Sequence, residues 1–466
     1  MSLFIKINSR MKLKSCNKDS LTFVIDDNRT ATFQTQTPKI HMTLLAFVCE
    51  GKSLDELRNL DFDDPSLFRF FLFIDNLKKN GFVDYHFQFN NSEHVIVYPK
   101  SHKFKDSFLK PVNIILKQGP YVLSRFAYFR REHDKMILEC PLATFRAALN
   151  TEFFNRLLPF ITGENDLINY EYGALQEEKA ESIFLNLLIE SGIIHPTHEI
   201  ETEHLRFWEF HDLIFHSHSR RGEFDDNARF GATYRFQEQL EPPQTFKDTD
   251  FDQAVKLYKP NLDELAISDT PFSKVLENRR SIRNYNKSKL INIEELGEFL
   301  YRSIGIREVI KTPNQDAIFR PYPGAGAIHE IDFYLVVNAC EGMNPGIYYY
   351  QPVNHALCRK NVDMQYIEKI TSNAQAGMGV NSTAPQIVFV LTSRFKKIAW
   401  KYEKMSYRCT LISVGTIFQT MSLVATSMDL ASCIVGSGDS SLFGEALGIN
   451  ILEEGAVGEF ALGISS

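Results

Sequence analysis

The stretch WKYEKMSYRCTLISVGTIFQTMSLVATSMDL, residues 400–430, places two reactive side chains, Lys401 and Tyr402, directly before a long apolar helix. From Cys409 to Met428 no residue is charged, and apolar side chains occupy every face of the predicted helix. A helix that is apolar all round is typical of a protein interior. A membrane span is the alternative, but the many Ser, Thr and Gln side chains and the lack of an aromatic belt argue against it.

The composition indicates a globular protein of two or three domains, with 466 residues of which 44% are hydrophobic. A net charge of -7 argues against non-specific binding to nucleic acid, which needs a basic surface. The seven cysteines lie far apart without a C-x-x-C pair, so they predict neither a zinc site nor a disulfide framework. With no signal peptide predicted, we expect a cytoplasmic protein.

Residues 1–110 are predicted to form a winged-helix-like unit. The pattern predicts two strands, an apolar helix, a short helix capped by Ser53 or Asp55, and a longer helix that ends near Gly81. The predicted strands are 11–14 and 21–25. The apolar helix is predicted at 41–49 and the longer helix at 67–79.

Residues 111–200 repeat that outline, with predicted strands at 121–130 and 135–140 and predicted helices at 142–149 and 177–190. We interpret the two segments as diverged copies of one unit. Winged helices often bind DNA, but the longest helix of the second copy is acidic, so a peptide is the better candidate ligand. A purely structural role for both copies stays open.

Residues 201–270 are predicted to be a linker and docking segment, with an aromatic stretch at 208–222 and several prolines after it. His211, His216 and His218 are candidate metal ligands, but their spacing fits no standard site, so we expect no metal.

Residues 271–466 alternate between predicted helices and strands, which indicates an α+β domain with a sheet between helices. The segment 386–392 is an almost continuous apolar run, as expected for a strand covered on both faces.

Three segments of this domain carry features suited to ligand binding. Residues 279–285, RRSIRNY, place three guanidiniums and a hydroxyl close together, which matches phosphate oxygens. In residues 320–329, RPYPGAGAIH, two glycines without side chains would let backbone donors and acceptors approach a flat ligand. An ordinary tight turn uses the same residue types. Residues 434–441, IVGSGDSS, are predicted to end a strand, turn at two glycines and start a helix. Backbone N–H groups at such a turn can face a ligand. A strand at 346–350, GIYYY, is expected to add aromatic surface nearby.

The order of these features is more specific than any one of them. Together with the Lys-Tyr pair and a buried helix carrying Gly415 and Gln419, they resemble the nitroreductase-like FMN enzymes, and more narrowly the SagB/ThcOx azoline oxidases of ribosomal peptide biosynthesis. The resemblance covers about 271–466, and 208–222 extends it. The doubled winged-helix outline resembles the peptide-binding region of the cyanobactin thiazoline oxidases.

The resemblance implies FMN as cofactor and assigns residues to it position by position. Lys401 and Tyr402 match the pair taken to be catalytic. Gly324 departs from the family pattern, in which serine is common. The implied cofactor-binding residues are Arg279, Arg280, Ser281 and Arg283 for the phosphate and ribityl chain, Pro323, Gly324, Ala325, Gly326 and Ala327 for the flavin-side loop, Gln419 on the helix, and Ile434, Val435, Gly436 and Ser437 near the ring.

The implied reaction is the oxidation of thiazolines or oxazolines in a precursor peptide to thiazoles or oxazoles. Tyr402 is the expected base, with Lys401 lowering its pKa or stabilising negative charge, although the two roles are interchangeable at this stage. A homodimer and molecular oxygen as electron acceptor are also implied, while nucleic acid and membrane are not expected partners. The alternatives are an NAD(P)H-dependent nitro or quinone reductase, a non-catalytic peptide-binding scaffold and a DNA-binding regulator.

Overall fold

The computed structural model describes residues 2–25, 29–35, 38–59, 65–89, 92–100, 104, 121–162, 179–197, 201–221, 229–248, 254–379 and 382–466. The chain forms two compact units, Met1–Ala228 and Arg229–Ser466. We refer to them as the first and the second unit. The predicted boundary near residue 110 lies outside the described residues, and the predicted division into four segments stays a prediction.

The first unit is built on antiparallel sheets. Its largest sheet has seven strands in the order β5-β1-β6-β7-β11-β10-β9, beside a three-stranded sheet β2-β3-β4 and a two-stranded sheet β12-β8. The elements are β1 (Ser2–Ile7), β2 (Met11–Asn17), β3 (Ser20–Ile25), β4 (Arg29–Gln34), α1 (Pro38–Glu50), β5 (Lys52–Ser53), α2 (Leu54–Arg58), α3 (Pro65–Lys79), β6 (Val83–Phe89), β7 (Ser92–Pro99), β8 (Tyr121–Leu123), β9 (Tyr128–Glu132), β10 (Lys135–Glu139), β11 (Phe145–Leu149), α4 (Thr151–Ile161), α5 (Lys179–Glu190), β12 (Ile194–Pro196), α6 (Glu203–Arg206) and α7 (Phe210–His218).

The helices at 41–49 and 67–79 and the strands at 11–14 and 21–25 lie within α1, α3, β2 and β3. Ser53 caps α2 with a full capping box, because its side chain accepts from the Glu56 backbone N–H while the Glu56 carboxylate accepts from Ser53. Of the two N-cap candidates in the sequence, Ser53 and Asp55, the structure therefore uses Ser53. The helix predicted at 177–190 is α5, although 177 and 178 lie outside the described residues.

The helix predicted at 142–149 is wrong. Residues 145–149 form strand β11, which pairs with β10 on one side and β7 on the other. Phe145, Ala147 and Leu149 are buried in the core of the first unit, while Ala148 is buried on the opposite face. Burial between two neighbouring strands therefore outweighs the helix propensity of Leu and Ala.

The aromatic stretch at 208–222 belongs to the first unit. Its last residue, Gly222, lies outside the described residues. Arg125 donates to the carbonyls of Leu205 and Trp208, and the Tyr128 hydroxyl lies 3.1 Å from His218 Nε2. Among the described residues no group of three or more His, Cys, Asp or Glu side chains is placed to hold a metal ion.

The second unit is an α+β domain around a seven-stranded antiparallel sheet, in the order β14-β19-β18-β17-β20-β23-β22. The unit also contains the two-stranded sheets β15-β16 and β13-β21. The elements are β13 (Gly231–Ala232), β14 (Val255–Lys256), α8 (Leu262–Ser268), α9 (Phe272–Asn278), α10 (Ile293–Ile304), β15 (Glu308–Ile310), β16 (Ala317–Phe319), a 3₁₀ turn (Ala325–Ala327), β17 (Ile331–Val337), β18 (Gly346–Gln351), β19 (Ala356–Lys360), α11 (Met364–Gly377), β20 (Ile387–Arg394), α12 (Phe395–Lys401), β21 (Tyr402–Glu403), α13 (Ser406–Ser427), β22 (Leu430–Val435), α14 (Ser440–Leu447) and β23 (Glu454–Ile464).

Helices cover both faces of this sheet, as the sequence predicts. Side chains of α10 and α13, such as Phe299 and Ile417, form one core with the sheet, and side chains of α11 and α14, such as Ile370 and Phe443, form another. All seven residues of β17 are buried, which explains why such strands are continuously apolar.

The long apolar helix α13 is only partly buried. One side packs in the core through residues such as Val414, Ile417 and Met421. Leu411 and Ile412 on another side are 41% and 55% exposed, so the prediction of burial on every face is wrong for the single chain. By length and composition α13 is also long and apolar enough to cross a membrane, with 44% of its most apolar window buried here.

Candidate functional site

Lys401 and Tyr402 stand at the junction of α12 and β21, just before α13. The backbone of this junction is fixed by a short antiparallel pairing in which Tyr402 lies opposite Ala232. The N–H groups of Thr233 and Tyr234 both donate to the Lys401 carbonyl, at 3.0 and 3.3 Å. The backbone of the pair is therefore held by contacts that do not involve its two side chains.

The glycine loop at 323–327 lies directly against this pair. Lys401 Nζ donates to the Gly326 carbonyl at 3.3 Å. A Cβ at Gly326 would lie 2.6 Å from Lys401 Nζ and 2.7 Å from the Tyr402 hydroxyl, and Gly326 has a φ of +57°. Only glycine meets both requirements without strain. Thr416 on α13 donates to the Pro323 carbonyl at 3.0 Å and fixes the start of the loop.

Gly324, the departure from the family pattern, has a physical cause in this chain. A Cβ there would lie 3.0 Å from the imidazole ring of His329. His329 is buried and has a φ of +48°, and Ala327 between them has a φ of +57°. The loop therefore folds back on itself, and the space that a serine side chain would need is taken by His329.

The electrostatics of the pair differ from the expectation that Lys401 lowers the pKa of Tyr402. Burial raises the pKa of Tyr402, and Cys409, Tyr234 and Glu330 raise it further. The Lys401 ammonium lies 5.7 Å from the centre of the Tyr402 ring, over its face. The prediction of a lowered pKa is therefore wrong for this structure, and the Tyr402 hydroxyl keeps its proton at neutral pH.

The arginine turn lines a separate hollow of about 390 Å³, formed by Arg280, Ser281 and Arg283 with Ser382 and Ser465. In the described part of the chain, none of Arg279, Arg280 and Arg283 makes an ion pair. Uncompensated guanidiniums around a polar hollow suit an anion. Arg279 does not line this hollow, unlike the other residues assigned to the phosphate.

The turn is anchored from two sides. The Ile282 N–H donates to the Ser432 carbonyl on β22, and the Thr383 N–H donates to the Arg283 carbonyl. Ser382 and Ser465 were missed by the sequence reasoning, because a serine in a loop or near a chain end has no local signature. Their place beside the arginines follows only from the tertiary fold.

Ile434, Val435 and Gly436 at the strand end line a cavity of about 300 Å³ together with Tyr407 and Phe418 of α13. Ile434 is exposed, Val435 is buried and contributes to the core, and Gly436 leaves open space where a Cβ would be. Ser437 packs against Gly377, where a Cβ would collide with the Ser437 hydroxyl.

Helix α13 is the element that the glycine loop and the strand end share. Thr416 contacts the loop and Phe418 lines the strand-end cavity, so both features lie along one helix. Gly415 and Gln419 are exposed one turn apart on this helix, and a Cβ at Gly415 would meet no atom within 4 Å. The arginine turn is connected to the same strand end, because the Ile282 N–H donates to the Ser432 carbonyl on β22.

The aromatic strand at 346–350 is not a binding surface. Tyr348, Tyr349 and Tyr350 are at most 4% exposed and belong to the two cores of the second unit. The Tyr350 hydroxyl pairs with His355 Nδ1 at 2.9 Å. The prediction that this strand adds aromatic surface for a ligand is therefore wrong.

The features present fit a flat, anionic cofactor such as FMN. The arginine turn offers positive charge without an internal partner, and Gly415 and Gly436 expose bare backbone beside open space. The distances between the arginine hollow, the strand end and the Lys401–Tyr402 pair are set by the second unit alone, since all three belong to it.

Each unit contains a segment that matches a protein family. Residues 276–464 match the nitroreductase family, so the second unit is a nitroreductase-like oxidoreductase domain. Residues 121–225 match the family described as cyanobactin oxidase ThcOx. The chain thus combines a cyanobactin-oxidase segment with a nitroreductase-family domain, in agreement with the resemblance to the azoline oxidases.

The chain is also similar to individual proteins. A protein named as a nitroreductase, MJ1384 of Methanocaldococcus jannaschii, is 27% identical over 183 residues, which cover 39% of this chain and 84% of that protein. The microcin B17-processing protein McbC of Escherichia coli is 26% identical over 168 residues, covering 34% of this chain and 61% of McbC. A chain of the E. coli microcin synthetase McbBCD complex with truncated pro-MccB17 bound shares 18% identity with a TM-score of 0.34, over 58% of this chain and 99% of that chain.

Proposed function

We propose that this protein oxidises azoline rings in a ribosomally made precursor peptide to the aromatic azoles, with FMN as its cofactor. The observation that carries the proposal is the contact of Lys401 and Tyr402 with the Gly326 loop, inside a nitroreductase-family domain. The cyanobactin-oxidase match and the similarity to McbC, a microcin-processing protein, support a peptide as substrate.

FMN would be held by the arginine turn and by the glycine-bearing surfaces of the second unit. Arg280, Ser281 and Arg283 would bind its phosphate, since they line a hollow and have no internal ion pair among the described residues. The 323–327 loop, Gln419 and the strand end at 434–437 would border its ring. When bound, FMN supplies the two-electron acceptor that ring oxidation requires.

Aromatisation of an azoline removes one proton from the ring carbon next to the carbonyl and one hydride from the neighbouring ring carbon. In our proposal Tyr402 accepts the proton as a general base, and the Lys401 ammonium stabilises the enolate-like negative charge that develops. Because burial raises the pKa of Tyr402, its phenolate is scarce at neutral pH and turnover should rise with pH. Molecular oxygen is the proposed final electron acceptor.

The first unit is proposed to bind the precursor peptide. The succession of a helix, a short strand, two helices and a hairpin, α1-β5-α2-α3-β6-β7, supports our proposal that residues 1–110 form a winged-helix-like unit. A cavity of about 510 Å³ lies beside the two-stranded sheet β8-β12 and is lined by Leu123, Ile194 and Leu205 among others. Apolar walls next to strand backbone suit an extended peptide.

The central experiment incubates the purified, flavin-loaded protein with a thiazoline-containing peptide in air. Oxidation lowers the peptide mass by about two hydrogens, since one proton and one hydride leave the ring. A yellow protein that leaves every thiazoline and oxazoline peptide unchanged, with and without its leader segment, contradicts the proposal.

A nitro or quinone reductase is the second candidate, because the relative MJ1384 is named as a nitroreductase. Such an enzyme would bleach its flavin absorbance rapidly when NADH or NADPH is added anaerobically. A peptide-binding scaffold would purify without flavin. The absorbance spectrum and one anaerobic titration therefore separate the three functions.

A further inference from the structure

Glu459 is a buried carboxyl in the main sheet of the second unit. It lies on β23, where it pairs with Val390 of β20 on one side and Val435 of β22 on the other. Its side chain is 3% exposed, and within the described part of the chain its Oε2 has no hydrogen-bond partner. Burying a carboxyl oxygen without a partner costs free energy, and a ligand that hydrogen-bonds to it would remove that cost.

The carboxyl of Glu459 lies beside the strand-end cavity of about 300 Å³, which Glu459 and Gly438 both line. A Cβ at Gly438 would lie 2.8 Å from Glu459 Oε1 and 3.0 Å from its Cδ. The carboxyl group therefore reaches from the strand to the loop that follows β22, and it occupies the space that a side chain at position 438 would need. Gly438 thus makes room for a carboxyl at the cavity.

The other walls of the cavity suit a flat ring. Tyr407 and Phe418 of α13 supply aromatic side chains, and Ile434, which is 44% exposed, supplies an apolar one. Phe418 packs against Gly458, where a Cβ would lie 2.6 Å from the phenyl ring. Aromatic and apolar walls with a few placed polar groups are the usual composition of a pocket for a small planar ligand. Glu459 adds a carboxyl to these walls.

Three other titratable groups bear on this carboxyl or its cavity in the described part of the second unit. Asp439 belongs to the loop after β22, Tyr407 lines the cavity, and Cys433 packs on β22 in the adjoining core. Burial raises the pKa of Glu459 to about 7, while Asp439 lowers this pKa through its backbone N–H and raises it through its carboxylate. Near neutral pH Glu459 can therefore donate a hydrogen bond as a neutral acid.

We propose that Glu459 hydrogen-bonds to the polar edge of the FMN ring and so fixes the orientation of the ring in the strand-end cavity. The protonated carboxyl donates to one of the ring nitrogens or carbonyl oxygens that this edge carries. Glu459 is thus a cofactor-binding residue on β23, in addition to those of the arginine turn, the glycine loop and the strand end. The inference rests on the proposed function only for the identity of the cofactor.

The test compares two substitutions at this position in the full-length, flavin-loaded protein. Glu459→Leu removes the polar group and keeps an apolar side chain of similar size, a change that buried ionisable positions often tolerate. Glu459→Gln removes the charge and keeps a hydrogen-bond donor. Release of FMN on dilution is followed by flavin fluorescence and gives the dissociation constant. We expect Glu459→Leu to raise this constant about tenfold, the effect of one hydrogen bond, and Glu459→Gln to keep most of the affinity.

A spectrum and a pH series separate a bond to the ring from a general loss of structure. The visible absorbance bands of bound FMN respond to hydrogen bonds at the ring, so they should shift in Glu459→Leu. In the wild type, FMN affinity should fall as pH rises through about 7, because ionisation removes the donor from the carboxyl. The FMN phosphate has its second pKa at about 6 and is already ionised in this range. Glu459→Gln should lack this pH dependence, since an amide does not titrate.

Asp84→Asn is the matched control, because it removes another buried carboxyl whose pKa burial raises to about 7, but in the first unit. Its FMN affinity and spectrum should equal those of the wild type. Wild-type affinity and spectrum in a folded Glu459→Leu protein, or an equal loss in Asp84→Asn, overturn the inference. If Glu459→Leu does not melt cooperatively, the pH series decides, and the same pH dependence in wild type and Glu459→Gln overturns the inference.

The outcome does not depend on the oxidation of azolines. FMN binding needs no peptide, so weaker binding by Glu459→Leu in a protein that oxidises no azoline supports the inference and contradicts only the proposed reaction. Full FMN affinity and an unchanged spectrum in Glu459→Leu, in a protein that does oxidise azolines, overturn the inference and leave the proposed function intact.

Discussion

At the scale of single residues, Lys401 and Tyr402 differ in their contacts. Lys401 Nζ is held by the Gly326 carbonyl, whereas the Tyr402 hydroxyl makes no hydrogen bond within the described part of the chain. A hydroxyl without an internal partner is available to a substrate. This difference supports a reactive role for Tyr402 and a stabilising role for Lys401.

Tyr402→Phe removes only this hydroxyl and keeps the ring. We expect flavin content and melting temperature to stay unchanged, while azoline oxidation falls by about 100- to 10,000-fold, the usual effect of losing a positioned base. Tyr258→Phe, at a half-exposed tyrosine of the same unit, is the control and should be fully active. Normal turnover by a flavin-loaded Tyr402→Phe protein would remove Tyr402 from the mechanism, and Lys401→Ala is assessed in the same way.

The arginine turn gives a second prediction at this scale. Arg280→Ala combined with Arg283→Ala should strip FMN, because each charge-assisted contact contributes about 1.5 to 3 kcal/mol. The measurement is the ratio of flavin to protein absorbance after desalting. Lys287→Ala with Lys289→Ala removes the same charge from exposed positions just beyond the turn and should keep the flavin. A doubly substituted arginine variant that stays fully yellow contradicts the phosphate assignment.

At the scale of elements, the glycine loop at 323–327 contacts both side chains of the Lys401–Tyr402 pair. Its path is restricted by the left-handed backbone of Gly326, Ala327 and His329 and by the bond from Thr416 to Pro323. A rigid loop that contacts both reactive side chains sets their separation. Geometry of this kind matters because small displacements at a reacting centre lower rates steeply.

Gly326→Ala tests this directly. The new Cβ would approach Lys401 Nζ and the Tyr402 hydroxyl within 2.6 and 2.7 Å, so the pair must shift. We expect turnover to fall by about 100-fold, the cost of a displacement of about 1 Å. Gly448→Ala is the matched control, since Gly448 also has a positive φ but its Cβ would meet nothing within 4 Å. Equal losses in both variants would show that backbone strain alone is responsible.

At the scale of the whole molecule, the exposed apolar side of α13 indicates a contact with another chain. Leu411 and Ile412 form an apolar surface next to Tyr407, which is itself 47% exposed. Apolar side chains on consecutive turns of a long helix are costly to leave in water. We propose that a second copy of the chain covers this side, which makes the protein a homodimer.

The homodimer predicts a mass twice that of the chain by light scattering at micromolar concentration with flavin bound. Ile412→Glu would bury a charge at the interface and should shift the protein toward monomer. Met42→Glu, at an exposed apolar side chain of the first unit, should remain a dimer. A wild-type monomer that retains its flavin contradicts this proposal.

Much of the second unit could be predicted because its signals are local. The uncharged run before Met428 predicts α13, and the apolar run at 386–392 predicts β20, since burial on both faces excludes polar residues from a strand. The order of the arginine turn, glycine loop and Lys-Tyr pair likewise indicated the nitroreductase-like class that the family match shows.

Other features depend on contacts between residues far apart in sequence. Residues 145–149 have helical propensity, yet two strands from elsewhere in the chain make them β11. The exposed side of α13 could not be inferred from a helix that is apolar all round, because the neighbours of a helix are chosen by packing. Glu459 had no local signal at all, since a single glutamate becomes unusual only when the fold buries it and leaves a carboxyl oxygen without a hydrogen-bond partner among the described residues. The amino-acid sequence alone thus predicted the Lys401–Tyr402 pair as the candidate reactive residues and the positions of the long apolar elements. The tertiary structure alone decided which faces are buried and which residues meet, because burial and contacts depend on distances through space.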